Sequence, residues 1–169
     1  MVQGANEEEI LQPSKDVMTP VMKAIDQNYS AIPPVPAYQA YVAKEEKDDR
    51  FYEDNQWIAI ACLDAYNRTG TKNYLDIAKR IYRFMMTGFD TASGGGLYWK
   101  EGDHTTKNTC SNGPGILVAL QLYKITKDKN YLDTALLLYN WVNSHLQSPE
   151  GVYYDNIKIP SLKIDSALY

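Results

Sequence analysis

The chain has 169 residues, 44% of them hydrophobic and 22% charged, which is the make-up of one ordinary folded domain long enough to bury a core. Its net charge of -4 and pI near 5.2 argue against nucleic acid as a partner, because binding phosphates needs a concentrated field of lysine and arginine. The longest apolar runs, such as Trp57 to Ala61 and Ile116 to Leu120, fall far short of the roughly 20 residues that span a bilayer, so no membrane span is expected.

The opening residues, Met1 to Glu9, have neither the basic start nor the apolar stretch of a signal peptide. A helix is predicted around Lys15 to Asn28, followed by Ile32-Pro33-Pro34-Val35-Pro36, which cannot be helical. Residues 1–36 therefore read as an N-terminal helix and a proline-rich connection, and residues 37–169 as the main helical body. The charged run Lys44 to Arg50 reads as a solvated loop.

An internal repeat then dominates the sequence. At an offset of 57 residues, Tyr66, Thr69, Lys72-Asn73-Tyr74-Leu75-Asp76, Ala78 and Tyr82 match Tyr123, Thr126, Lys129-Asn130-Tyr131-Leu132-Asp133, Ala135 and Tyr139. In each copy the first segment is apolar nearly all round, from Trp57 to Leu63 and from Gly115 to Leu120, which predicts a helix buried on every side. The second segment is amphipathic: Tyr74, Leu75, Ala78, Ile81, Tyr82 and Met85 oppose Asp76, Lys79, Arg80 and Arg83. Asn73 and Asn130 read as N-caps of these outer helices, with Asp76 and Asp133 close to capping-box positions.

Buried inner helices alternating with half-exposed outer ones, joined by short turns at 68–71 and 126–129, predict an all-α fold, an (α/α) toroid. Gly151 to Asp155 and Ile157 to Ile159 are expected to form a short hairpin, and another helix is expected to begin at Ala167-Leu168-Tyr169. About five helices fall short of a closed six-hairpin ring, so an incomplete ring is expected, associating with itself through uncovered apolar faces.

Candidate chemistry clusters in two places. Phe51-Tyr52-Glu53-Asp54-Asn55-Gln56-Trp57 sets two adjacent carboxylates among aromatic rings at the mouth of an inner helix. Glycoside hydrolysis needs two carboxyl groups, about 5 Å apart in retaining enzymes, and neighbouring residues at a helix start can reach that separation. The competing reading is structural, with Asp54 or Asn55 capping the helix and Glu53 favouring its positive end. The stretch from Asp90 to Asn112 is too long for a simple connection. Its Gly94-Gly95-Gly96 precede a strand-like run rather than a helix, which argues against a phosphate cradle. Tyr98 and Trp99 offer faces to a sugar ring, and Lys107 and Asn108 offer hydrogen bonds to its hydroxyls; alternatively these aromatics pack over the open end of the helices. Asn112-Gly113-Pro114 reads as an N-cap with proline in the first turn, and Asn112 falls at the repeat position of Asn55. Asn55 and Trp57 complete the candidate substrate-binding set. Cys62 and Cys110 read as buried reduced thiols, and His104 and His145 lack partners at metal-ligand or triad spacing.

The segments Asp49 to Trp57, Leu63-Asp64-Ala65-Tyr66 with Thr69-Gly70, Gly95 to Lys100 and Lys107 to Pro114 resemble, in order and spacing, the signatures of glycoside hydrolase family 76. The resemblance covers about Ala37 to Tyr169. It implies an (α/α)6 toroid and retaining endo-hydrolysis of α-1,6-mannan without metal or organic cofactor. An extracellular, periplasmic or cell-surface location is also implied. The family's catalytic pair is two consecutive aspartates, matched here by Glu53 and Asp54, which gives Glu53 the nucleophile role and Asp54 that of acid/base. Glu53 is one methylene longer, displacing its carboxylate by about 1.5 Å. Competing functions are a glycan-binding member without turnover, another sugar enzyme on the same toroid, and a helical-repeat interaction protein. The last would have a repeat of about 34 to 47 residues and no aromatic loop between units.

Overall fold

The computed structural model describes residues 13–44 and 46–167; the expectations for Met1 to Glu9 and for a helix at Leu168-Tyr169 lie outside the described residues. Helix α1 (Pro13–Ile25) runs into a 3-10 turn and strand β1 (Tyr29–Ser30), which pairs antiparallel with β2 (Ala37–Tyr38). Two helical hairpins follow, α2 (Tyr52–Thr69) with α3 (Lys72–Met86), then α4 (Thr109–Thr126) with α5 (Lys129–His145). Between and after them, β3 (Thr106–Asn108) pairs antiparallel with β4 (Asn156–Lys158). The two apolar segments lie on the neighbouring helices α2 and α4, and the amphipathic ones on α3 and α5, as the repeat predicts.

Ala59, Cys62 and Leu63 of α2 pack with Ile77, Ala78, Ile81, Phe84 and Met85 of α3, and the same core takes in Val118, Leu122 and Leu138 from the second hairpin. Met22 of α1 and Tyr38 of β2 belong to this core as well, so α1 is packed against the helical body. The hairpins are also joined across α3 and α5. The Tyr82 ring meets Tyr131 edge-on at 4.7 Å, and its hydroxyl lies 2.8 Å from Thr134 Oγ1.

The repeat extends to the turns. Gly70 ends α2 in the left-handed conformation (φ 68°) and sends its N–H to Tyr66 O; Lys127 ends α4 in the same way (φ 61°), with its N–H on Tyr123 O. A lysine there carries the side-chain strain that glycine avoids, about 1 kcal/mol.

Several local expectations are corrected. The N-caps of α3 and α5 are Thr71 and Asp128, not Asn73 and Asn130; Asp128 accepts from Asn130 N, whereas Thr71 makes no side-chain cap bond. Asp128 brings its acceptor to the free N–H groups from two residues earlier than Asn130, and both asparagines fall inside the first turn. Neither Asp54 nor Asn55 caps α2, whose N-cap is Phe51, and Asn112 does not cap α4, whose N-cap is Asn108. Pro114 lies inside α4 rather than in its first turn. The expected C-terminal hairpin also differs. Residues 152–154 return along 146–148 about a turn at Gly151, and β4 continues onward to pair with β3. Val152 to Lys158 holds no glycine or proline to reverse the chain, so it stays extended and pairs first with 146–148 and then with both β3 and residues 163–165. The inner helices are not covered on every side either: Trp57, Ala61 and Leu117 are exposed, as are Leu136, Leu137 and Tyr139 on α5.

Asn55 and Asn112, both fully buried, explain how the inner helices start. Asn55 Oδ1 accepts from Tyr38 N at 2.8 Å, and its amide nitrogen donates to Tyr38 O and Phe51 O, each at 2.8 Å. Asn112 repeats the arrangement. Leu97 N donates to its Oδ1 at 2.8 Å, and its amide donates to Leu97 O at 3.0 Å and Asn108 O at 2.8 Å. Each asparagine satisfies both backbone groups of one extended residue and one carbonyl of its own helix start. Asn112→Ala leaves three buried backbone groups unpaired and is expected to cost about 3 kcal/mol. Urea unfolding measures this, and a loss below about 0.5 kcal/mol would refute the role.

Candidate active site

Glu53 and Asp54 occupy the first turn of α2, where the unpaired N–H groups favour negative charge. Glu53 is half-buried and Asp54 exposed. None of the ion pairs among the described residues involves either acid. Although Asp54 as a residue is exposed, partial burial of its carboxyl raises its pKa, and the adjacent Glu53 charge raises it further. Trp57, one turn on, holds its indole N–H 3.4 Å from Glu53 Oε1, and the Cys110 thiol of α4 lies within hydrogen-bonding reach of the same carboxylate. Burial, then Glu53, pushes the Cys110 thiol up to about 12, so it stays protonated and can act as a donor. Cys62 is likewise a buried free thiol.

The aromatic loop lies against this end of α2. Tyr52 N donates to Trp99 O at 3.2 Å and Glu101 N to Arg50 O at 3.1 Å, while the Phe51 and Trp99 rings stand 5.0 Å apart. Arg50, almost fully buried, fixes the junction. It makes two bonds to Glu101, at 2.7 and 2.6 Å, and two more to Ile32 O and Val35 O at 3.1 Å each. Trp57 (51% exposed), one turn after Glu53, and Trp99 (39% exposed), against Phe51, are exposed at this helix start.

The other loop candidates point elsewhere. Tyr98 is buried, its hydroxyl donates to Asp90 at 2.5 Å, and His104 stacks on it. Lys107, 0% exposed, donates to Asp90 Oδ1 at 2.7 Å and Gly95 O at 2.6 Å, between the rings of Tyr98 and Trp141. Its ammonium is thus committed to the loop. Gly96 is required there: its φ is 82°, and a Cβ would come within 2.6 Å of the Trp141 ring. Asn108, Asn55 and Asn112 are buried as well, so Glu53, Asp54, Trp57 and Trp99 form the accessible part of the candidate set.

Arg50, Asp90, Glu101 and the Glu53–Cys110 contact were not singled out from sequence. The repeat held part of the signal, because its offset pairs Arg50 with Lys107 and Glu53 with Cys110. A separate hollow at the C-terminal ends of α2 and α4, lined by Asp64, Tyr66, Asn67, Gln121, Lys124 and Ile125, has no aromatic platform beside an acid pair and lies far from this chemistry. Among the described residues no cluster of His, Cys, Asp and Glu could hold a metal ion.

Asp90 links the loop to pH. Burial raises its pKa, but the hydrogen bonds from Lys107 and Tyr98 outweigh this and hold it below the ordinary 3.8. A depressed carboxylate stabilises the fold above its unfolded pKa and loses that contribution as pH falls through the folded value. Asp90→Asn should therefore destabilise the protein at pH 7 and flatten the decline in stability below about pH 4. The expected loss at pH 7 is about 2 kcal/mol, less than for a fully buried pair because Asp90 is partly solvated. Urea unfolding at several pH values tests both effects.

Comparison with known proteins places this geometry. The profile described as glycosyl hydrolase family 76 matches residues 21–166, beginning inside α1 rather than at Ala37. A mannan endo-1,6-alpha-mannosidase of Saccharomyces cerevisiae is 27% identical over 133 residues, covering 70% of this chain and 30% of the relative. The family 76 α-mannanase of Bacteroides thetaiotaomicron superposes with a TM-score of 0.86 at 27% identity, covering 92% of this chain and 45% of that one. An inactive variant of the α-1,6-mannanase of Salegentibacter, two neighbouring aspartates replaced and α-1,6-mannotriose bound, superposes with a TM-score of 0.64 at 34% identity, covering 68% of this chain and 34% of that one. The chain thus spans less than half the length of these relatives. Its hairpins form part of an (α/α)6 toroid, and the chain belongs to glycosyl hydrolase family 76.

Proposed function

We propose that the protein containing this chain hydrolyses α-1,6-mannan with retention of configuration. The observation that carries the reading is the pair of adjacent acids in the first turn of α2, with exposed Trp57 one turn on and exposed Trp99 against Phe51 at the N-cap. Glu53 attacks the anomeric carbon while Asp54 donates its proton to the departing glycosidic oxygen. Asp54, now a carboxylate, then takes a proton from the water that releases the glycosyl group from Glu53. A raised pKa at Asp54 suits it to hold the proton needed in the first step. The Salegentibacter protein, inactive with two neighbouring aspartates replaced and bound to α-1,6-mannotriose, supports both the acid pair and the substrate class.

Glu53→Asp is expected to raise hydrolysis of α-1,6-mannan, since it brings the carboxylate back by about 1.5 Å, and Asp54→Asn to abolish it. Reducing-end release measures both. Activity lost in Glu53→Asp and kept in Asp54→Asn would overturn the assignment. The longer Glu53 also favours a second reading, glycan binding without turnover, which binding without reducing-end release would establish.

We also propose that the chain associates with itself through Leu117, Leu136, Leu137 and Tyr139, which are exposed on adjoining helices. Light scattering should show particles larger than one chain that shrink in Leu136→Glu. A monodisperse monomer would contradict this.

A further inference from the structure

Charge at the end of the molecule that carries the acid pair is unevenly matched. Arg50, Lys100 and Lys107 stand there, and each is committed to a carboxylate: Arg50 to Glu101 at 2.6 Å, Lys100 to Asp49 at 2.6 Å and Lys107 to Asp90 at 2.7 Å. Arg50 and Lys107 are also buried, which closes them off from a substrate. By contrast, Asp48, Glu53, Asp54, Asp103 and Asp155 take part in no ion pair among the described residues.

Backbone contacts bring these carboxylates together. Phe51, the N-cap of α2, forms a bridge with Lys100, and Asp103 N donates to Lys100 O at 3.3 Å, so the turn at Gly102 folds Asp103 back toward the start of α2. Asp48 and Asp103 both act on the Lys100 charge. Thr105 donates its hydroxyl and its N–H to Asp103 Oδ1, at 2.6 and 2.9 Å, which holds that carboxyl below its ordinary pKa and keeps it charged. Asp155 stands at the start of α4: Thr109 N donates to Asp155 O at 2.8 Å, and the Cys110 thiol, in contact with Glu53, also feels the Asp155 charge.

The groups that would oppose this negative field are covered or distant. Helix starts attract anions, but Glu53 and Asp54 already occupy the first turn of α2, and the Thr109 N–H of α4 is bonded to Asp155 O. Glu46 and Lys47, both exposed, carry opposite charges ahead of Asp48. Lys158 lies two residues beyond Asn156 on β4 and bonds through its N–H to Lys163 O, while Asp165 returns to Asn156 O on the same edge. Unpaired carboxylates around one helix start sum to a negative potential that reaches about 10 Å at 0.1 M salt. A neutral sugar chain is almost indifferent to it. A phosphate or carboxylate group on that chain meets like charge, and every cation beside the acid pair is already taken.

We propose that Asp48, Asp103 and Asp155 make the site selective for uncharged α-mannan, rejecting chains that carry phosphate or carboxylate groups near the linkage to be cleaved. It rests on the reading of the protein as an α-mannan hydrolase. These residues act through the field and need not touch the sugar.

The test compares hydrolysis of α-1,6-mannotetrose with that of the same oligosaccharide bearing one phosphate monoester, at ionic strengths of about 0.01 M and about 0.5 M. Binding of both is followed in parallel through the indole signals of Trp57 and Trp99. At low salt the neutral substrate is expected to be favoured at least about tenfold in kcat/KM. That ratio should shrink severalfold at high salt, and also in the double variant Asp103→Asn, Asp155→Asn, whose amides keep the size of the carboxyls. Use of the neutral substrate should change less than about twofold throughout. A ratio that responds neither to salt nor to the charge variants is steric, and overturns the selectivity while the hydrolase reading stands; equal use of the two substrates does the same. Binding of the neutral oligosaccharide without cleavage overturns the hydrolase reading, and the ratio of the two affinities then decides the selectivity. Absence of both binding and hydrolysis overturns both. Because the salt dependence is read in the unaltered chain, the result stands even where a variant fails to fold.

Discussion

An asparagine one turn inside each inner helix grips the backbone of an extended segment, and the placement of everything else at this end of the molecule depends on that grip. Asn55 binds Tyr38 and Asn112 binds Leu97, each through both the N–H and the carbonyl. A helix start normally faces water; here it is sealed by chain that runs across it. The seal explains how Glu53 and Asp54 can stand beside buried polar groups while keeping an open side. It also anchors the loop carrying Trp99: the residue two positions before the tryptophan is the one held by Asn112.

A second layer of constraint comes from two buried cations at equivalent places ahead of the inner helices. Arg50 ties the first helix start to the proline-rich connection and to Glu101, and Lys107 ties the second to Asp90 and the glycine turn. Burying such charges is favourable only when nearly every donor is used. Arg50 meets this with four bonds; Lys107 meets it with two bonds and two aromatic faces. Both networks are therefore geometrically demanding, which suits a role in fixing distances near an acid pair.

The large features were legible in the sequence because they follow from periodicity. Apolar and amphipathic segments repeating at a fixed offset identify two helical hairpins and their order, and adjacent acids at a helix start identify the candidate chemistry. What escaped was contact information. Lys107 reads as a free cation in a loop, since nothing local reveals that Asp90, Gly95, Tyr98 and Trp141 converge on it. Asn55 and Asn112 read as caps, because cap propensity is a local property and their real partners lie 17 and 15 residues away. β4 pairs with β3 rather than with residues 151–155 just before it, a choice made by a loop edge far away in sequence.

The two copies of the repeat agree in their helices and turns and differ where the chemistry lies. The positions that hold Glu53 and Asp54 in the first copy hold Cys110 and Ser111 in the second, and Cys110 reaches back to touch Glu53. The acid's surroundings are therefore assembled from both copies. A single hairpin of this kind would hold the reactive groups without the thiol that faces them; the acid's environment exists only where two unlike units stand side by side.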